Sequence, residues 1–200
     1  MKTMEIKEQA DWEKIYQFEK IEDLPWYEEK IDPDLNDAIQ VIKNGKFLDL
    51  GTGPGTQATE LAKKGFDVTG SDISLSAIQK AKKIFDNVKF VQDDILNSKF
   101  KDEYFDYILD RGCFHVFSEI EREKYKKQIQ RILKKGGLVF LKCISKKDSS
   151  MEKNKGPHKF SEEQIRDFFK DQFDIIKVKD TVYYGKINPL PKALFVILKK

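Results

Sequence analysis

Cysteine, histidine and long apolar runs are all scarce in this chain. Its 200 residues include two cysteines and two histidines. Cys113 and Cys143 do not have the spacing of a zinc site, and two thiols in a chain of this size need no oxidising compartment. No run of about 20 consecutive apolar residues occurs, and the stretch up to Ile15 is acidic and interrupted by charges, unlike a secretory signal. We therefore expect a cytoplasmic protein without a membrane partner or a bound metal.

The chain also lacks a large excess of one charge. Lysine and arginine total 37 against 34 for aspartate and glutamate, which gives a net charge of +3. The two signs alternate along nearly every segment, whereas a nucleic-acid binder concentrates its basic residues on one element. This pattern argues against a nucleic-acid partner. The length suits one α/β domain, which can bury roughly 70% of the unfolded chain's surface without disulfides.

From residue 46 onward, short apolar runs alternate with amphipathic stretches. This alternation is typical of β-α-β units wound into a mostly parallel sheet. The last two runs are joined by a segment with two prolines and no helical periodicity, which favours an antiparallel pair at the sheet edge. The seven predicted strands are residues 46–50, 67–71, 88–92, 104–109, 138–144, 173–178 and 193–198.

The helices between these strands have readable start signals. Ser74 is predicted to cap a helix that runs to about residue 85. Capping-box spacing predicts two further helix starts, Ser118 with Glu121 and Ser161 with Gln164. We place the end of the helix that begins at Ser118 at a left-handed stop supplied by Gly136 and Gly137.

The strongest local signal is a glycine turn after the first predicted strand, in Asp49-Leu50-Gly51-Thr52-Gly53-Pro54-Gly55. Glycine permits backbone dihedrals closed to other residues, and its missing side chain lets a ligand lie against the main chain. A helix predicted over about residues 56–64 directs its free amide groups at the same place. The turn suits a nucleotide-like ligand, and a plain strand-to-helix turn is the alternative.

Acids follow the next two predicted strands. Asp72 comes about 20 residues after the first glycine, where a carboxylate can accept hydrogen bonds from both ribose hydroxyls. Its alternative role is that of an acid at the start of the helix capped by Ser74. Asp94 closes the third strand, where it can meet the exocyclic amine of an adenine while Ile95 packs on the ring. Asp93 is adjacent, and the sequence leaves open which of the two acids contacts the base.

Together these residues resemble the class I methyltransferases, which bind S-adenosylmethionine on a Rossmann-like α/β fold. The resemblance runs from Lys46 to the carboxyl terminus and includes Leu133-Lys134-Lys135-Gly136-Gly137 before the fifth strand. It implies a seven-stranded, mostly parallel sheet with an antiparallel C-terminal edge pair and helices on both faces. It also implies S-adenosylmethionine as cofactor and S-adenosylhomocysteine as product. The implied cofactor-binding residues are Asp49, Gly51, Thr52, Gly53, Gly55, Asp72, Ile73, Asp94, Ile95 and Asp110.

The main competing class is the nicotinamide-dependent oxidoreductases. Their turn has the spacing Gly-x-Gly-x-x-Gly, whereas the glycines here fall at every second position. The spacing therefore favours methyl transfer.

Two short matches resemble a narrower group, the thiopurine and tellurite-resistance methyltransferases. They are Asp110-Arg111-Gly112 at the end of the fourth predicted strand, and residues 65–72 with the helix after them. Because open α/β sheets bind ligands at the carboxyl ends of central strands, we predict Asp110 and Arg111 as catalytic residues. In this hypothesis Arg111 holds an anionic substrate, and Asp110 fixes Arg111 or the methionine portion of the cofactor. An ordinary surface pair is the alternative.

His115 follows in the next loop and is the third predicted catalytic residue, as a general base. A hydrogen-bonded structural role within the loop is its alternative. Cys113 in the same loop is expected to pack.

Residues 1–45 are predicted to form an N-terminal helical arm, a lid packed on the methyltransferase domain of residues 46–200. The arm is rich in aromatic residues, and we predict that Trp26 binds substrate together with Arg111. Trp12 and Tyr16, one helical turn apart, either close the site or cover the sheet edge. A polar, lysine-rich loop over residues 145–159 is a candidate second lid.

The sequence thus predicts a methyltransferase that acts on a small molecule. A thiol or another soft nucleophile needs no base near neutral pH, so sulfur or another soft atom is the favoured acceptor. Two alternatives stay open: a protein or RNA methyltransferase with a broad groove, and a cofactor-binding protein without catalysis. The sequence also leaves open a monomer or a homodimer.

Overall fold

The computed structural model describes residues 11–150 and 156–200, in which all seven predicted strands are present, although β5 begins at Leu133 instead of residue 138 and β6 ends at Val182 instead of residue 178. The strands are β1 Lys46–Leu50, β2 Asp67–Asp72, β3 Lys89–Gln92, β4 Phe105–Arg111, β5 Leu133–Ile144, β6 Asp174–Val182 and β7 Lys192–Lys199. The α-helices are α1 Trp12–Phe18, α2 Pro33–Ala38, α3 Thr56–Lys63, α4 Leu75–Ile84, α5 Glu119–Ile132 and α6 Glu162–Phe169.

The strands form one mixed sheet in the order β3-β2-β1-β4-β5-β7-β6. Strands β1 to β5 are parallel, and β7 runs antiparallel between β5 and β6. The predicted fold class and its antiparallel edge pair are therefore confirmed. The strand order reverses between β1 and β4, where Leu50 lies beside Asp110. Open α/β sheets bind their ligands in the crevice at this switch point.

Helices cover both faces of the sheet, so its central strands are buried on both sides. Successive side chains of a strand point to opposite faces, and both Phe47 and Leu48 of β1 are fully buried. Phe47 packs in a core with side chains from α2, α3 and α4, whereas Leu48 packs in a second core with side chains from α5 and α6. This sandwich holds the carboxyl ends of β1, β2 and β4 in fixed positions.

The predicted helix starts are confirmed. The Ser74 hydroxyl accepts a hydrogen bond from the Ala77 amide at the start of α4. Both predicted capping boxes form, at the first turns of α5 and α6. Such caps satisfy amide groups that the helix itself leaves without partners.

The predicted end of α5 at the two glycines is wrong. The helix ends at Ile132, and Leu133 is already extended as the first residue of β5. The last carbonyls of α5 accept hydrogen bonds from the amides before β4, Glu103 to Arg131 and Tyr104 to Ile132. Because these tertiary contacts satisfy the helix end, no glycine stop is needed. Gly136 has a left-handed φ of +76°, but it lies within β5.

The N-terminal arm packs against the start of α4. The Glu13 carboxylate of α1 accepts hydrogen bonds from the hydroxyls of Ser74 and Ser76, at 2.8 and 2.6 Å. The last part of the predicted helical arm consists of α2 and a 3-10 turn over Ile39–Val41. Residues 1–10 of the predicted arm lie outside the described residues.

The ends of the predicted loop over residues 145–159 are tied to the sheet. The Phe160 amide donates to the carbonyl of Ile144 at 2.9 Å, and the His158 amide donates to the carbonyl of His115 at 2.7 Å. Residues 151–155 of this loop lie outside the described residues. Within residues 11–150 and 156–200, no helix has the length and apolar character needed to cross a bilayer.

Candidate active site

The glycine turn leads from β1 into α3, as predicted. Gly51 and Gly53 have left-handed φ values of +67° and +51°. A Cβ on Gly53 would lie 2.5 Å from the Tyr16 hydroxyl oxygen, and one on Gly51 would lie 2.2 Å from the Cys113 sulfur. Only glycine therefore fits both the backbone conformation and the space at these positions. The turn is a concave stretch of main chain at the start of a helix.

Asp49 lies beneath this turn and holds it to α3. One oxygen of its buried carboxylate accepts hydrogen bonds from the Thr52 hydroxyl at 2.6 Å and the Ala58 amide at 3.1 Å. Burial raises the pKa of Asp49 to about 7, although these two hydrogen bonds oppose the shift. Asp49 thus shapes the turn from below.

Asp72 ties the end of β2 to the same turn. One carboxylate oxygen accepts from the Gly53 amide and the other from the Ser74 amide, both at 2.9 Å. Burial raises the pKa of Asp72 to about 6, against the effect of both amides. Each carboxylate oxygen has two lone pairs, so both can accept a further hydrogen bond from a ligand hydroxyl.

Further residues predicted to bind the cofactor follow β2 and β3. Ile73 is 52% exposed beside Asp72. Ile95 is only 5% exposed and packs in the core, so the apolar surface available to a flat ring comes from Ile73. Asp94 caps a 3-10 turn through the Leu96 amide at 2.9 Å. Asp93 instead accepts from the Lys99 amide at 2.9 Å.

Asp110 does not fix Arg111, and this part of the prediction is wrong. Its fully buried carboxylate accepts three hydrogen bonds from the amides after β4, those of Gly112, Cys113 and Phe114, at 3.0, 2.7 and 3.0 Å. Neighbouring residues of a strand point to opposite faces, which separates the side chains of Asp110 and Arg111. Burial raises the pKa of Asp110 to about 6. The carboxylate shapes the turn after β4.

Arg111 is fixed by the N-terminal arm and by the β6–β7 connection. Its Nε donates to Asp32 at 3.1 Å, and its two terminal nitrogens donate to the carbonyls of Trp26, at 3.1 Å, and Tyr184. The guanidinium also lies 4.6 Å from the centre of the Tyr183 ring. Arg111 therefore connects the end of β4 to the N-terminal arm, at Trp26 and Asp32, and to the β6–β7 connection, at Tyr184.

The predicted role of His115 as a general base does not fit its position. The side chain is buried, and its Nδ1 accepts a hydrogen bond from the Ile144 amide at 3.2 Å. Burial, with the nearby charge of Arg111, lowers the pKa of His115 to about 3. The ring is a neutral, hydrogen-bonded part of the structure, which was the alternative considered from the sequence.

A small cavity of about 40 Å³ lies between the glycine turn and the arm. Tyr16, Leu24, Trp26 and Tyr27 line the arm side, and Gly51, Thr52, Gly53 and Pro54 line the other side, with Arg111 between them. The Trp26 indole nitrogen donates to the Tyr16 hydroxyl at 3.3 Å. Trp12 packs edge-on against Trp26, with ring centres 5.7 Å apart. The structure thus brings Trp26, Arg111 and the glycine turn together.

The sequence interpretation missed two residues around Arg111, namely Asp32 and Lys142. Asp32 was not singled out from the sequence, although an acid directly before a proline is a usual helix cap. Lys142 interrupts the otherwise apolar run of β5, and a lysine in a buried strand is a signal for an ion pair.

Asp49 yields a pH-dependent prediction for the unliganded protein. Its folded-state pKa is raised to about 7, against roughly 3.9 in an unfolded chain. Between these values the unfolded chain has lost a proton that the folded protein keeps, so the free energy of unfolding falls as pH rises. The variant Asp49→Asn retains an acceptor oxygen but removes this effect. We expect its stability relative to the parent protein to rise by roughly 1 kcal/mol or more between about pH 5 and 7.

Denaturant unfolding of both proteins at several pH values measures this difference. Other titrating groups are common to both proteins and cancel in the comparison. A difference that stays constant across this pH range would contradict the prediction.

The residues at the switch point fit S-adenosylmethionine. The glycine turn is a main-chain cradle in which Gly51 and Gly53 leave no room for a Cβ, and a carboxylate and an exposed apolar side chain follow the next strand. Together with the sheet order, these features define a class I, S-adenosylmethionine-dependent methyltransferase. The chain belongs to the methyltransferase domain family, which matches residues 47–137.

Curated relatives support this assignment. An uncharacterized methyltransferase of Schizosaccharomyces pombe is 34% identical over 129 residues, which cover 60% of this chain and 89% of the relative. The 2-heptyl-1-hydroxyquinolin-4(1H)-one methyltransferase of Mycobacteroides abscessus is 30% identical over 171 residues. This alignment covers 80% of this chain and 73% of that relative. Human EEF1A lysine methyltransferase 2 is 37% identical over 113 residues. This alignment covers 50% of this chain and 48% of that relative.

Solved structures agree in fold. A structure described as showing conversion of a disulfide bond into a thioacetal group during echinomycin biosynthesis superposes with a TM-score of 0.81 at 23% identity, covering 94% of this chain and 91% of that chain. An S-adenosylmethionine-dependent methyltransferase from Methanosarcina mazei superposes with a TM-score of 0.74 at 20% identity. The superposition covers 86% of this chain and 98% of that chain. The third structure is the 1,6-didemethyltoxoflavin-N1-methyltransferase of Burkholderia thailandensis, solved with S-adenosylhomocysteine. It superposes with a TM-score of 0.64 at 18% identity, over 79% of this chain and 72% of that chain.

Proposed function

We propose that this methyltransferase acts on a small molecule bound between the N-terminal arm and the glycine turn. The observation that carries the proposal is the narrow cavity of about 40 Å³ whose arm side is lined by the aromatic side chains of Tyr16, Trp26 and Tyr27. Small-molecule sites are concave, with apolar and aromatic side chains and a few polar groups on their walls. A protein or RNA acceptor calls for a broader, open groove at this position.

In this proposal the cofactor lies along the glycine turn. Asp72 accepts hydrogen bonds from the ribose hydroxyls, Ile73 packs on the adenine, and Asp94 accepts from its amine. Amide groups at the start of α3 face the bound nucleoside. Bound there, S-adenosylmethionine supplies an electrophilic methyl group on a sulfonium sulfur.

The arm aligns the acceptor and excludes water. Trp26 and Tyr16 form an apolar wall opposite the glycine turn, and Arg111 holds the main chain of Trp26 in place. Burial keeps the pKa of the Tyr16 phenol well above its usual range, so the hydroxyl stays protonated as a donor. Such alignment supplies much of the rate in a displacement reaction.

The surroundings of Asp110 and His115 favour an acceptor that needs no base. Asp110 is engaged with three main-chain amides, and the Nδ1 of His115 is occupied by the Ile144 amide. A thiolate or another soft anion is nucleophilic near neutral pH without proton removal by the enzyme, unlike most amines and alcohols. We therefore propose sulfur or another soft atom as the preferred acceptor.

The names of the relatives span two acceptor classes. The Mycobacteroides abscessus relative and the Burkholderia thailandensis structure are named for small heteroaromatic molecules. The human relative is named for a lysine of a protein. A protein acceptor is therefore the outcome that the test must separate from the proposal.

An acceptor screen with methyl-labelled S-adenosylmethionine tests the proposal. Thiols, tellurite, phenols, amines and purified EEF1A are incubated in parallel, and a reaction without acceptor measures background cofactor breakdown. We expect label in a small acceptor, with thiols or tellurite turned over fastest. Label confined to EEF1A would replace the small-molecule proposal, and cofactor binding without transfer to any acceptor would indicate a non-catalytic protein.

A further inference from the structure

A buried ion pair lies behind the cavity, between β5 and the N-terminal arm. The side chain of Lys142 is 1% exposed, and its ammonium lies 2.6 Å from both carboxylate oxygens of Asp32. It also lies 2.8 Å from the carboxylate of Asp34. A charged side chain at this depth has to be paired, because burial strips it of water. Lys142 thus fixes two acids of the arm to the central sheet.

Asp32 is the junction of this cluster. Its main-chain amide donates to the Gln57 side chain of α3 at 2.8 Å, and its carboxylate accepts from the Arg111 Nε at 3.1 Å. The carboxylate also caps α2 through the Asp34 amide at 3.0 Å. One residue therefore connects the helix after the glycine turn with the arginine that holds the arm.

The charges of the buried cluster balance. Arg111 and Lys142 carry two positive charges, and Asp32 and Asp34 carry two negative charges. Burial alone would raise the pKa of Asp34, but hydrogen bonds from Lys142, Lys179 and Thr181 outweigh it and lower that pKa to about 2. The acid is therefore ionised at neutral pH. Removal of Lys142 leaves Asp34 paired with Lys179 at 2.9 Å, and Asp32 with Arg111 as its cationic partner at 3.1 Å.

Stability alone does not account for such a cluster. An apolar pair of similar volume often stabilises a fold as well as a buried ion pair does, because the desolvation cost offsets the attraction. The cluster is distinguished by what it orients: Arg111, whose other nitrogens hold the carbonyls of Trp26 and Tyr184. Trp26 lines the cavity, and Tyr184 belongs to the β6–β7 connection.

We propose that Lys142 is a positioning residue for methyl transfer, which holds Asp32 and, through it, Arg111 and the arm over the glycine turn. The kinetic part of this inference rests on the proposed function. The cofactor-binding groups of the glycine turn and Asp72 make no contact with Lys142 among the hydrogen bonds of the described residues. Loss of Lys142 therefore acts on the arm more than on cofactor affinity.

The variant Lys142→Met tests the inference with two readouts. The chain has two tryptophans, Trp12 and Trp26, and both lie on the arm, so tryptophan fluorescence reports on the arm alone. We expect a red-shifted emission and a larger acrylamide quenching constant in the variant. We also expect kcat to fall by about ten- to a hundred-fold, because a small displacement of aligned reactants is costly. The Kd for S-adenosylmethionine should stay within about threefold, a difference below 1 kcal/mol.

Lys147→Met is the matched control. Lys147 forms an exposed ion pair with Asp180 at 2.6 Å, away from this cluster, so both readouts should equal those of the parent protein. If Lys142→Met does not fold by circular dichroism, the charge-balanced double variant Asp32→Asn with Lys142→Met replaces it. Failure of both variants to fold would mark the cluster as purely structural and overturn the inference.

A folded Lys142→Met protein with unchanged quenching and kcat would also overturn the inference. The proposed function can fail separately, if the parent protein transfers no methyl group to any acceptor. In that case the fluorescence comparison still decides whether Lys142 positions the arm.

Discussion

Replacement of Asp72 by alanine is expected to lower the affinity for S-adenosylmethionine by about a hundred-fold or more. The carboxylate accepts hydrogen bonds from the Gly53 and Ser74 amides, and in our proposal it also accepts from the ribose hydroxyls. Hydrogen bonds to a charged group contribute roughly 1.5–3 kcal/mol each, so the loss of two to the ribose corresponds to about 10²–10⁴-fold in Kd. Isothermal titration calorimetry with cofactor and with S-adenosylhomocysteine measures this loss.

The matched control is Asp67→Ala at the other end of β2. Asp67 forms an exposed ion pair with Lys46 at 2.6 Å, and pairs of this kind contribute about 0–1 kcal/mol. Its Kd should equal that of the parent protein. Circular dichroism of the unliganded variants checks that both fold. Cofactor binding by Asp72→Ala within a few-fold of the parent would remove Asp72 from the nucleoside site.

The features of the fold that could be predicted are those determined by short stretches of sequence. β1 was predicted with its observed bounds because an apolar run ends directly at Gly51. The starts of α5 and α6 were predicted because a capping box places serine and its partner three residues apart. Such signals act within one turn of chain, so no knowledge of the tertiary fold is needed to read them.

The end of α5 shows that a local sequence signal can be overridden by tertiary contacts. Two consecutive glycines are a strong sequence signal for a helix end, and Gly136 does adopt a left-handed φ. The chain nevertheless leaves the helix before Leu133, because amides from the turn before β4 satisfy the last carbonyls of α5. These partners are about 30 residues away in sequence, a separation that no capping rule covers.

In the candidate site, too, the features set by local spacing were predictable and the contacts between distant residues were not. The glycine turn and Asp72 were predicted from spacing, and the structure places them in contact, with the Gly53 amide 2.9 Å from the Asp72 carboxylate. The partner of Arg111 was assigned to its neighbour Asp110, yet strand geometry turns adjacent side chains to opposite faces. The acid that Arg111 contacts is Asp32, 79 positions away.

This partner belongs to the arm, whose position over the sheet no local pattern specifies. Lys142 was the available clue, since a lysine in a buried strand requires an acid from another element. The network therefore emerges only when the arm, β4 and β5 are placed together.

Replacement of Gly51 by alanine is expected to be among the most damaging single changes in the glycine turn. Gly51 has a φ of +67°, and an added Cβ would lie 2.2 Å from the sulfur of Cys113. A left-handed alanine costs roughly 1–2 kcal/mol, and overpacking of a buried site costs about 1–3 kcal/mol more. If the turn relieves this strain by moving, the cofactor cradle is lost. We expect cofactor Kd to rise by about thirty-fold or more, with a lower melting temperature of the unliganded protein.

The two costs can be separated by a second substitution, because one of them depends on the Cys113 sulfur and the other does not. In the double variant Gly51→Ala with Cys113→Ala, the nearest remaining atom of residue 113 is its Cβ at 3.9 Å, an ordinary contact distance. The overpacking cost should disappear while the backbone strain remains, so calorimetry and thermal unfolding should both show partial recovery. The Cys113→Ala variant alone serves as the control for the lost sulfur. A double variant no better than Gly51→Ala would show that backbone conformation, and not the thiol, decides the fit at this turn.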